Sequence, residues 1–499
     1  MIMRKGAVKL QDVDIEVIAD YKISDKTSLA ESWIMSGFYC LSDLAAIFFA
    51  VLLAYFLRKW APEFVLPSSV LMPRAYIELW PAIFLFALAY LVSGLYPGVG
   101  ITAVEELRRT CIATSMVFTI LSVWIFLSRV GFVYSRAIFF IAWVLALLFV
   151  PLARAAVRHL FGDKSWWGVS AVVMGAAKTG AEIVKILKNT KALGIKPVAI
   201  LDDDAEKHGK LIEGVTVMGS LELAPHLAKQ CNISWAIMAM PGLDRERLLQ
   251  IWEESASYFH HVIYIPDLFG FASLGVLSRD FGGILGLEVR QQLLRLGPKI
   301  AKAIMDAIIA AVALVVSALL IPFIALFIKL DSKGPVFYRQ TRYGKDGKPF
   351  KAWKFRTMVE NADVVLKEYL ARHPELKEEW DRYQKLRDDP RVTRVGKFLR
   401  KTSLDELPQI FNVIKGEMSV VGPRPIVQNE IEKYGKYYSL YTKVKPGITG
   451  LWQVSGRNDV SYEERVALDA YYVRNWSVWL DLYILARTFP VAVFGKGAY

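Results

Sequence analysis

The sequence predicts a membrane protein of three parts: a membrane α-helical bundle of four spans, a cytoplasmic Rossmann-like α/β module, and a mainly α-helical C-terminal domain with a re-entrant membrane helix. Three observations lead to this expectation. Four apolar runs of membrane-spanning length come first, alternating strand and helix patterns follow, and a fifth apolar run precedes the last third of the chain. With 54% hydrophobic residues among 499, the chain is not disordered.

The N-terminal part divides into a polar cytoplasmic segment, residues 1–32, and four transmembrane helices within residues 33–153. The polar segment lacks the apolar core and small-residue cleavage site of a secretory signal. With the N-terminus inside, ten Lys and Arg residues flank the cytoplasmic ends and five the outer ends, which favours this orientation. Asp43 interrupts the first run, and we expect a structural role for it near the cytoplasmic end. The apolar runs are 33–57, 75–95, 111–127 and 136–152.

Residues 166–290 alternate between strand and helix patterns, as in a doubly wound α/β fold. A glycine-rich turn from Gly175 to Gly180 follows the first strand, at the place where such folds bind a dinucleotide. Ala177 stands where the second glycine of that motif would allow the pyrophosphate to approach, so we expect a turn that binds nothing. The predicted strands are 169–174, 197–201, 215–218, 235–240 and 261–265.

The fifth apolar run, residues 307–328, carries Pro322, which predicts a kink or break because proline lacks a backbone donor. Basic residues flank the run on both sides, which favours a helix that enters and leaves by the cytoplasmic face. We therefore predict a re-entrant membrane helix over 300–330; an ordinary kinked span is the alternative.

Residues 331–499 contain two adjacent carboxylates, Asp405 and Glu406, among clusters of basic residues. Paired carboxylates can hold Mg²⁺ together with substrate phosphates, and an aspartate can attack phosphorus to form an acyl phosphate. Basic side chains can neutralise the phosphate oxygens in the transition state, and the turn from Pro423 through Pro425 is rigid. The alternative is an acidic pair that caps a helix beginning near Leu404. The candidate basic residues are Lys354, Arg356, Arg400 and Arg424.

The blocks 354–358, 401–409, 422–425 and 445–450 together resemble the bacterial monotopic polyprenol-phosphate phosphoglycosyl transferases. With the helices and α/β module upstream, the chain is similar to the large-membrane-protein branch of that family. The resemblance implies that 331–499 is the catalytic domain, with Asp405 as nucleophile and Glu406 as its partner near Mg²⁺, and that Pro322 breaks the re-entrant helix. It also implies phosphate contacts for Lys354, Arg356 and Arg400, and nucleotide contacts for Pro423, Arg424 and Pro425.

The resemblance implies that a hexose 1-phosphate passes from a UDP-hexose to undecaprenyl phosphate, with release of UMP and through an aspartyl-phosphosugar intermediate. The blocks 421–427 and 451–459 resemble those of members that transfer galactose 1-phosphate in O-antigen synthesis. Capsule and exopolysaccharide are other destinations, and UDP-glucose is the alternative donor. We expect the bacterial inner membrane as location, with the catalytic domain on its cytoplasmic face, and a homodimer. The net charge of +13 suits membrane lipids and phosphorylated substrates rather than nucleic acid.

Two functions of other classes are alternatives. An NAD-dependent sugar-nucleotide epimerase or dehydratase would need a Tyr-x-x-x-Lys pattern on a helix that follows the sheet. Tyr441 and Lys445 have this spacing. They lie far along the chain from the glycine turn, so we interpret the match as a coincidence. A scaffold without catalytic activity is disfavoured by the intact pair Asp405 and Glu406.

Overall fold

A computed structural model of the chain describes most of its residues and divides it into two compact units, Met1–Phe269 and Gly270–Tyr499. The predicted N-terminal segment lies outside the described residues up to position 27. The described residues are 28–61, 73–128, 134–164, 166–267, 276–280, 285–289, 296–377, 389–456 and 460–494.

Three helices of the first unit are long and apolar enough to cross a membrane. Ala46, Ala50 and Ala54 form a buried stripe along the first helix, and they share a core with Ala142 and Ala146 of the last. Small side chains at this spacing let two membrane helices approach closely. The helices are α1 (Ser28–Trp60), α2 (Pro73–Glu78), α3 (Ile83–Val92), α4 (Ala103–Leu127) and α5 (Arg136–Phe161).

The second predicted span is wrong as a single helix. Residues 75–95 fall into α2, a 3₁₀ turn Trp80–Ala82 and α3, which has 10 residues. Pro81 is the second residue of the 3₁₀ turn and has no N–H to continue the hydrogen bonding of α2. At 1.5 Å per residue α3 is about 15 Å long, half the hydrocarbon thickness.

A buried ion network joins three of these helices inside the bundle. Arg154 of α5 donates two hydrogen bonds to Asp43 of α1, at 2.9 and 2.6 Å, and one to Glu106 of α4 at 3.2 Å. Tyr96 donates to Asp43 at 2.8 Å, and Arg158 pairs with Glu106. Asp43 therefore has the structural role expected of it, because a buried charge needs a partner that satisfies it.

The α/β module is confirmed as a mixed, mainly parallel sheet with the strand order β3-β4-β2-β1-β5-β6. All five predicted strands are present; the short β3, which pairs antiparallel with β4, was not predicted. The elements are β1 (Val169–Met174), α6 (Lys178–Asn189), β2 (Ile195–Leu201), β3 (Leu211–Ile212), β4 (Val215–Gly219), α7 (Ala224–Gln230), β5 (Trp235–Met238), α8 (Arg245–Glu254) and β6 (His261–Tyr264).

The glycine turn of this module has structural reasons for its glycines. Gly175 has a φ of +106°, and a Cβ on Gly180 would lie 1.9 Å from the Gly175 carbonyl oxygen, so α6 packs against the strand only with glycine there. The carboxylate of Asp202, at the end of β2, accepts the N–H of Ala176 at 2.6 Å. One donor of the turn is thus satisfied by the chain itself; that the turn binds nothing stays a prediction.

The second unit begins with a hairpin, β7 and β8, whose strands pair with each other. The predicted module ran to residue 290 and so included this hairpin. In the structure the hairpin belongs to the C-terminal unit. The described elements are β7 (Val276–Asp280), β8 (Leu285–Val289), α9 (Leu296–Asp331), β9 (Phe337–Tyr343), β10 (Pro349–Phe355), α10 (Ala362–Arg372), α11 (Arg394–Thr402), a 3₁₀ helix (Leu404–Gln409), α12 (Ile410–Ile414), β11 (Ser419–Val421), α13 (Ile431–Tyr434), α14 (Tyr438–Tyr441), β12 (Gly447–Thr449), α15 (Leu451–Ser455), α16 (Tyr462–Arg474) and α17 (Val478–Phe494).

The fifth apolar run forms α9, a helix of 36 residues that is also long and apolar enough to cross a membrane. It continues through Pro322, so the proline does not end the helix. Large apolar side chains along it are exposed, among them Leu319 and Phe323, as on a surface that faces lipid. Whether the helix re-enters the cytoplasmic face stays a prediction.

Candidate active site

The first wall of the site is the antiparallel hairpin of β9 and β10, which presents Lys354. Asn412 of α12 holds β10 in place: its Oδ1 accepts the N–H of Trp353 at 3.0 Å, and its Nδ2 donates to the carbonyl of Lys351 at 2.8 Å. Asn412 is fully buried. This clamp fixes the strand beside the 3₁₀ helix that follows α11, and the sequence analysis did not identify it.

The second wall is that 3₁₀ helix, which carries Asp405 and Glu406 in its first turn. The helix α11 ends at Ser403, whose φ of +57° reverses the chain. The N–H of Glu406 then donates to the Ser403 carbonyl at 3.3 Å. The acidic pair thus begins a helical turn, as in the capping alternative, but both side chains are largely buried, so helix capping does not account for their placement.

Lys354 lies between the two carboxylates. Its Nζ is 2.6 Å from Glu406 Oε1 and 3.6 Å from Asp405 Oδ2. Burial raises the pKa of Glu406, but the charge and hydrogen bond of the Lys354 ammonium lower it by more. The pKa of Glu406 therefore lies below its usual value. Burial raises the pKa of Asp405, against the opposing charge of Lys354 and with the repulsion of Glu406 added. The pair therefore divides into a firmly ionised Glu406 and a more basic, less tightly paired Asp405.

The other two predicted phosphate contacts, Arg400 and Arg356, have different surroundings. Arg400, in the last turn of α11, donates to Thr357 Oγ1 at 3.0 Å and is close enough to Asp405 for their charges to interact. Arg356 is buried and its Nη2 donates to the carbonyl and hydroxyl of Ser332, at 2.8 and 3.0 Å, just beyond α9. Arg400 thus borders the acidic pair, whereas the hydrogen bonds of Arg356 hold the end of the membrane helix.

The turn of Pro423, Arg424 and Pro425 follows β11 and is fixed through its backbone. The Pro423 carbonyl accepts the N–H of Gly447 at 2.8 Å, and the Pro425 carbonyl accepts Nη1 of Arg342 at 3.0 Å. Arg424 lies near enough to Glu406 for the two charges to interact. The structure thus brings the predicted nucleotide contact to the acidic pair.

Two further arginines surround this turn, and the sequence analysis missed both. Arg424 and Arg465 lie over Trp452, with guanidinium carbons 5.4 and 4.8 Å from the ring centroid. Arg342 and Arg465 share the carboxylate of Glu430 at 3.8 and 3.5 Å. Burial and the charge of Arg465 lower the pKa of Arg424, against the attraction of Glu430 and Glu406.

Unused donors remain in this arginine cluster. Within the described part of the chain, the buried atoms Arg465 Nε and Trp452 Nε1 have no hydrogen-bond partner. Buried donors are normally paired, so such atoms indicate a place for a ligand acceptor. Trp452 lies in the block 451–459, which carries part of the family resemblance, but Arg465 sits in helix α16, where the sequence shows no motif.

Asp469, also on α16, is buried beneath the cluster and accepts a hydrogen bond from Tyr434 at 2.7 Å. Burial raises its pKa to about 7, against the nearby charges of Arg465 and Arg424. Its protonation therefore changes the net charge around Arg424 near neutral pH.

The donor set fits Mg²⁺ only in part. Among the described residues, no group of three His, Cys, Asp or Glu side chains is placed to hold a metal ion. Asp405 and Glu406 supply two carboxylates, and Mg²⁺ commonly takes its other ligands from water and substrate phosphates. The site thus fits an ion that arrives with a phosphorylated substrate.

Residues 297–495 match the family model described as bacterial sugar transferase, and residues 92–266 match a CoA-binding domain. The chain is 36% identical to the undecaprenyl-phosphate galactose phosphotransferase of Salmonella typhimurium over 371 residues, which cover 73% of this chain and 77% of the relative. The chain belongs to the bacterial sugar transferase family. The acidic pair, the basic residues and the arginine cluster described above all lie within the residues that match this family.

Two other sugar transferase relatives show the range of the family. The UDP-glucose:undecaprenyl-phosphate glucose-1-phosphate transferase of Klebsiella pneumoniae is 34% identical over 375 residues, covering 72% of this chain and 76% of the relative. The exopolysaccharide production protein ExoY of Sinorhizobium fredii is 50% identical over 200 residues, which are 40% of this chain but 88% of the relative. That relative is little longer than the matched stretch.

Proposed function

We propose that this bacterial sugar transferase moves galactose 1-phosphate from UDP-galactose to undecaprenyl phosphate and releases UMP. One observation carries the proposal: Lys354 pairs unequally with the two buried carboxylates. Its Nζ lies 2.6 Å from Glu406 but 3.6 Å from Asp405, which leaves Asp405 less tightly paired. The name of the Salmonella relative supplies galactose and the acceptor, and the Klebsiella relative makes UDP-glucose the second candidate donor.

The chemistry follows from that unequal pairing. An Asp405 oxygen attacks the phosphorus that carries the sugar, the bond from this phosphorus to the bridging oxygen breaks, and UMP leaves with that oxygen. A phosphate oxygen of undecaprenyl phosphate then attacks the same phosphorus and releases the Asp405 carboxylate. The basicity that burial gives to Asp405 favours the first attack, and the covalent intermediate splits one transfer into two steps.

The positive side chains have separate tasks in this proposal. Lys354 and Arg400 border the acidic pair and stabilise charge on the transferred phosphoryl group. Arg424 and Arg465 bind the nucleotide side of the donor, with the unused donors of Arg465 and Trp452 available to its acceptor atoms. Asp405 and Glu406 would hold Mg²⁺, which would neutralise charge on the substrate phosphates.

The epimerase alternative loses its one sequence signal. The hydroxyl of Tyr441 donates to the carbonyl of Tyr343 at 2.6 Å and accepts from the N–H of Ile426 at 3.4 Å. Because both hydrogen bonds of the Tyr441 hydroxyl are made to backbone groups, this side chain has a structural role.

We also propose that the catalytic unit lies on the cytoplasmic face of the inner membrane and that α9 enters and leaves on that face. Asp306 near one end of α9 accepts the N–H of Val420 at 3.1 Å, and Ser332 beyond the other end accepts from Arg356 at 2.8 Å. A straight helix separates such positions by about 39 Å, more than the hydrocarbon thickness of about 30 Å. A true span would need this one compact unit on both sides of the bilayer. A homodimer stays a prediction.

The test uses the purified full chain with undecaprenyl phosphate and a panel of UDP-hexoses. We expect UMP release with UDP-galactose, and loss of it in Asp405→Asn, because an amide cannot form the acyl phosphate. Without acceptor, donor labelled in the sugar should label the wild-type protein but not this variant. Asp363→Asn, an exposed acid on α10, is the matched control and should keep full activity. Unimpaired turnover in Asp405→Asn would refute the covalent mechanism; release with UDP-glucose alone would change the donor.

A further inference from the structure

A second buried ion network lies directly behind the Arg424 turn, and it starts from the membrane helix. Lys302, in the first third of α9, donates to Asp481 Oδ2 of α17 at 2.8 Å and to the carbonyl of Val421 at 2.9 Å. Tyr472 of α16 places its hydroxyl 3.0 Å from the same carbonyl and 2.8 Å from Asp481 Oδ1. Val421 is the last residue of β11, and Gly422 and the Arg424 turn follow immediately.

The same helix also holds the preceding residues of β11. Asp306, one turn after Lys302, accepts the N–H of Val420 at 3.1 Å and the hydroxyl of Ser419 at 2.8 Å. Every residue of this short strand is thus bonded to α9, so the register between α9 and β11 determines where the Arg424 turn begins.

Stability alone is a poor explanation for such a network. Asp481 and Tyr472 are fully buried, and taking an ion pair out of water costs about as much as the pairing returns. What buried, hydrogen-bonded charges do provide is one defined geometry, since each alternative arrangement leaves a charge without a partner. Burial raises the pKa of Asp481, and the Lys302 ammonium opposes that rise.

We propose that Lys302 and Tyr472 are positioning residues for the donor nucleotide: they hold the Val421 carbonyl and so set the turn from which Arg424 binds. Neither needs to touch the donor. The inference rests on the proposed function, because it assigns the Arg424 turn to the donor. In this proposal α9 also determines the position of the donor-binding turn, because it carries Lys302.

The test is Tyr472→Phe in the full chain, since this change removes one oxygen and leaves the ring in place. Loss of the buried hydroxyl that the Val421 carbonyl and Asp481 share should raise the KM for the UDP-hexose roughly fivefold to tenfold. We expect kcat within twofold of wild type and an unchanged KM for undecaprenyl phosphate. Inhibition by UMP, which needs no turnover, should weaken by the same factor as the donor KM rises.

Two further variants complete the design. Tyr471→Phe, at the more exposed neighbouring tyrosine of α16, is the matched control and should leave all constants unchanged. Lys302→Met should give the same donor-specific change and a larger one. An unchanged donor KM in Tyr472→Phe, or an equal loss for donor and acceptor, would overturn the inference while the proposed function stands. Absence of UMP release from the wild-type chain with every UDP-hexose would instead refute the proposed function.

Discussion

Gly334 and Arg356 occupy adjoining space at the end of the membrane helix: a Cβ on Gly334 would lie 2.1 Å from Arg356 Nη1. Gly334 also has a φ of +118°, which side-chain-bearing residues rarely adopt. The missing Cβ is what lets the buried guanidinium reach Ser332. The connection between α9 and the hairpin of β9 and β10 therefore depends on a glycine that no catalytic motif contains.

The first prediction concerns this glycine. Gly334→Ala should destabilise the catalytic unit by about 2 kcal/mol, because the alanine is strained and displaces Arg356. The measurement is the Tm of the purified chain in detergent. Gly297→Ala, where a Cβ meets nothing within 4 Å, should leave the Tm unchanged or slightly higher. Equal shifts in the two variants would contradict the role of the close approach.

The second prediction concerns Lys354. Lys354→Met should lower kcat by about 10²–10³, the usual effect of removing one charged group that stabilises the transition state. Without the ammonium the pKa of Glu406 rises, so the acidic limb of the pH–rate profile should move to higher pH. Lys351→Met, on the same strand with its amine on Thr341, is the control and should keep activity and profile. A variant that loses activity without any shift of the profile would argue against the pairing with Glu406.

The third prediction uses Asp469, whose pKa is raised to about 7 from an ordinary value of 3.8. The folded chain then holds a proton that the unfolded chain has lost, so this group's contribution to stability is complete below pH 3.8 and disappears as the pH rises through 7. Asp469→Asn should therefore gain Tm relative to wild type between pH 5 and pH 8. A difference in Tm that does not depend on pH would show that Asp469 does not titrate there.

The fourth prediction tests the topology of α9. In a chain whose three cysteines are replaced by serine, Lys299→Cys and Lys345→Cys should both resist an impermeant thiol reagent applied outside spheroplasts, and both should react after permeabilisation. Both positions are exposed in the structure. Arg74→Cys, predicted on the outer side, is the positive control. Labelling of Lys345→Cys alone from outside would establish α9 as a true span.

The fifth prediction concerns the α/β module. A fragment from Leu296 to Tyr499 should retain UMP release, because the described site residues all follow Leu296 and the ExoY relative consists largely of the matched stretch. The assay is UMP release from fragment and full chain, side by side in detergent. A folded but inactive fragment beside an active full chain would assign the module a part in the site.

Local patterns predicted the parts of this structure that local chemistry determines. The strands of the module follow from short buried runs between turn residues, and the acidic pair was conspicuous because adjacent carboxylates amid basic clusters are unusual. The hairpin of β9 and β10 was missed, although Asp346 and Gly347, both with positive φ, form a dipeptide typical of tight turns.

Long-range partners escaped prediction for a physical reason. Asn412 acts on Lys351 across 61 positions, and Lys302 acts on Val421 across 119. Nothing in the composition around an asparagine or lysine states which distant carbonyl it will reach. By sequence, Lys302 is one of the basic residues that flank the fifth apolar run, whereas in the structure it pairs with the fully buried Asp481.

The pair of Asp43 and Arg154 has a consequence for how the protein is made. Its members are 111 residues apart, and ribosomes add about 5–20 residues per second, so α1 is synthesised roughly 6–20 s before its partner exists. A carboxylate in the middle of a membrane helix costs about 2.5–3.5 kcal/mol on insertion scales. The nascent α1 can therefore enter the bilayer with the Asp43 carboxylate still unpaired by Arg154. Arg154 pairs with this carboxylate only after α5 has left the translocon.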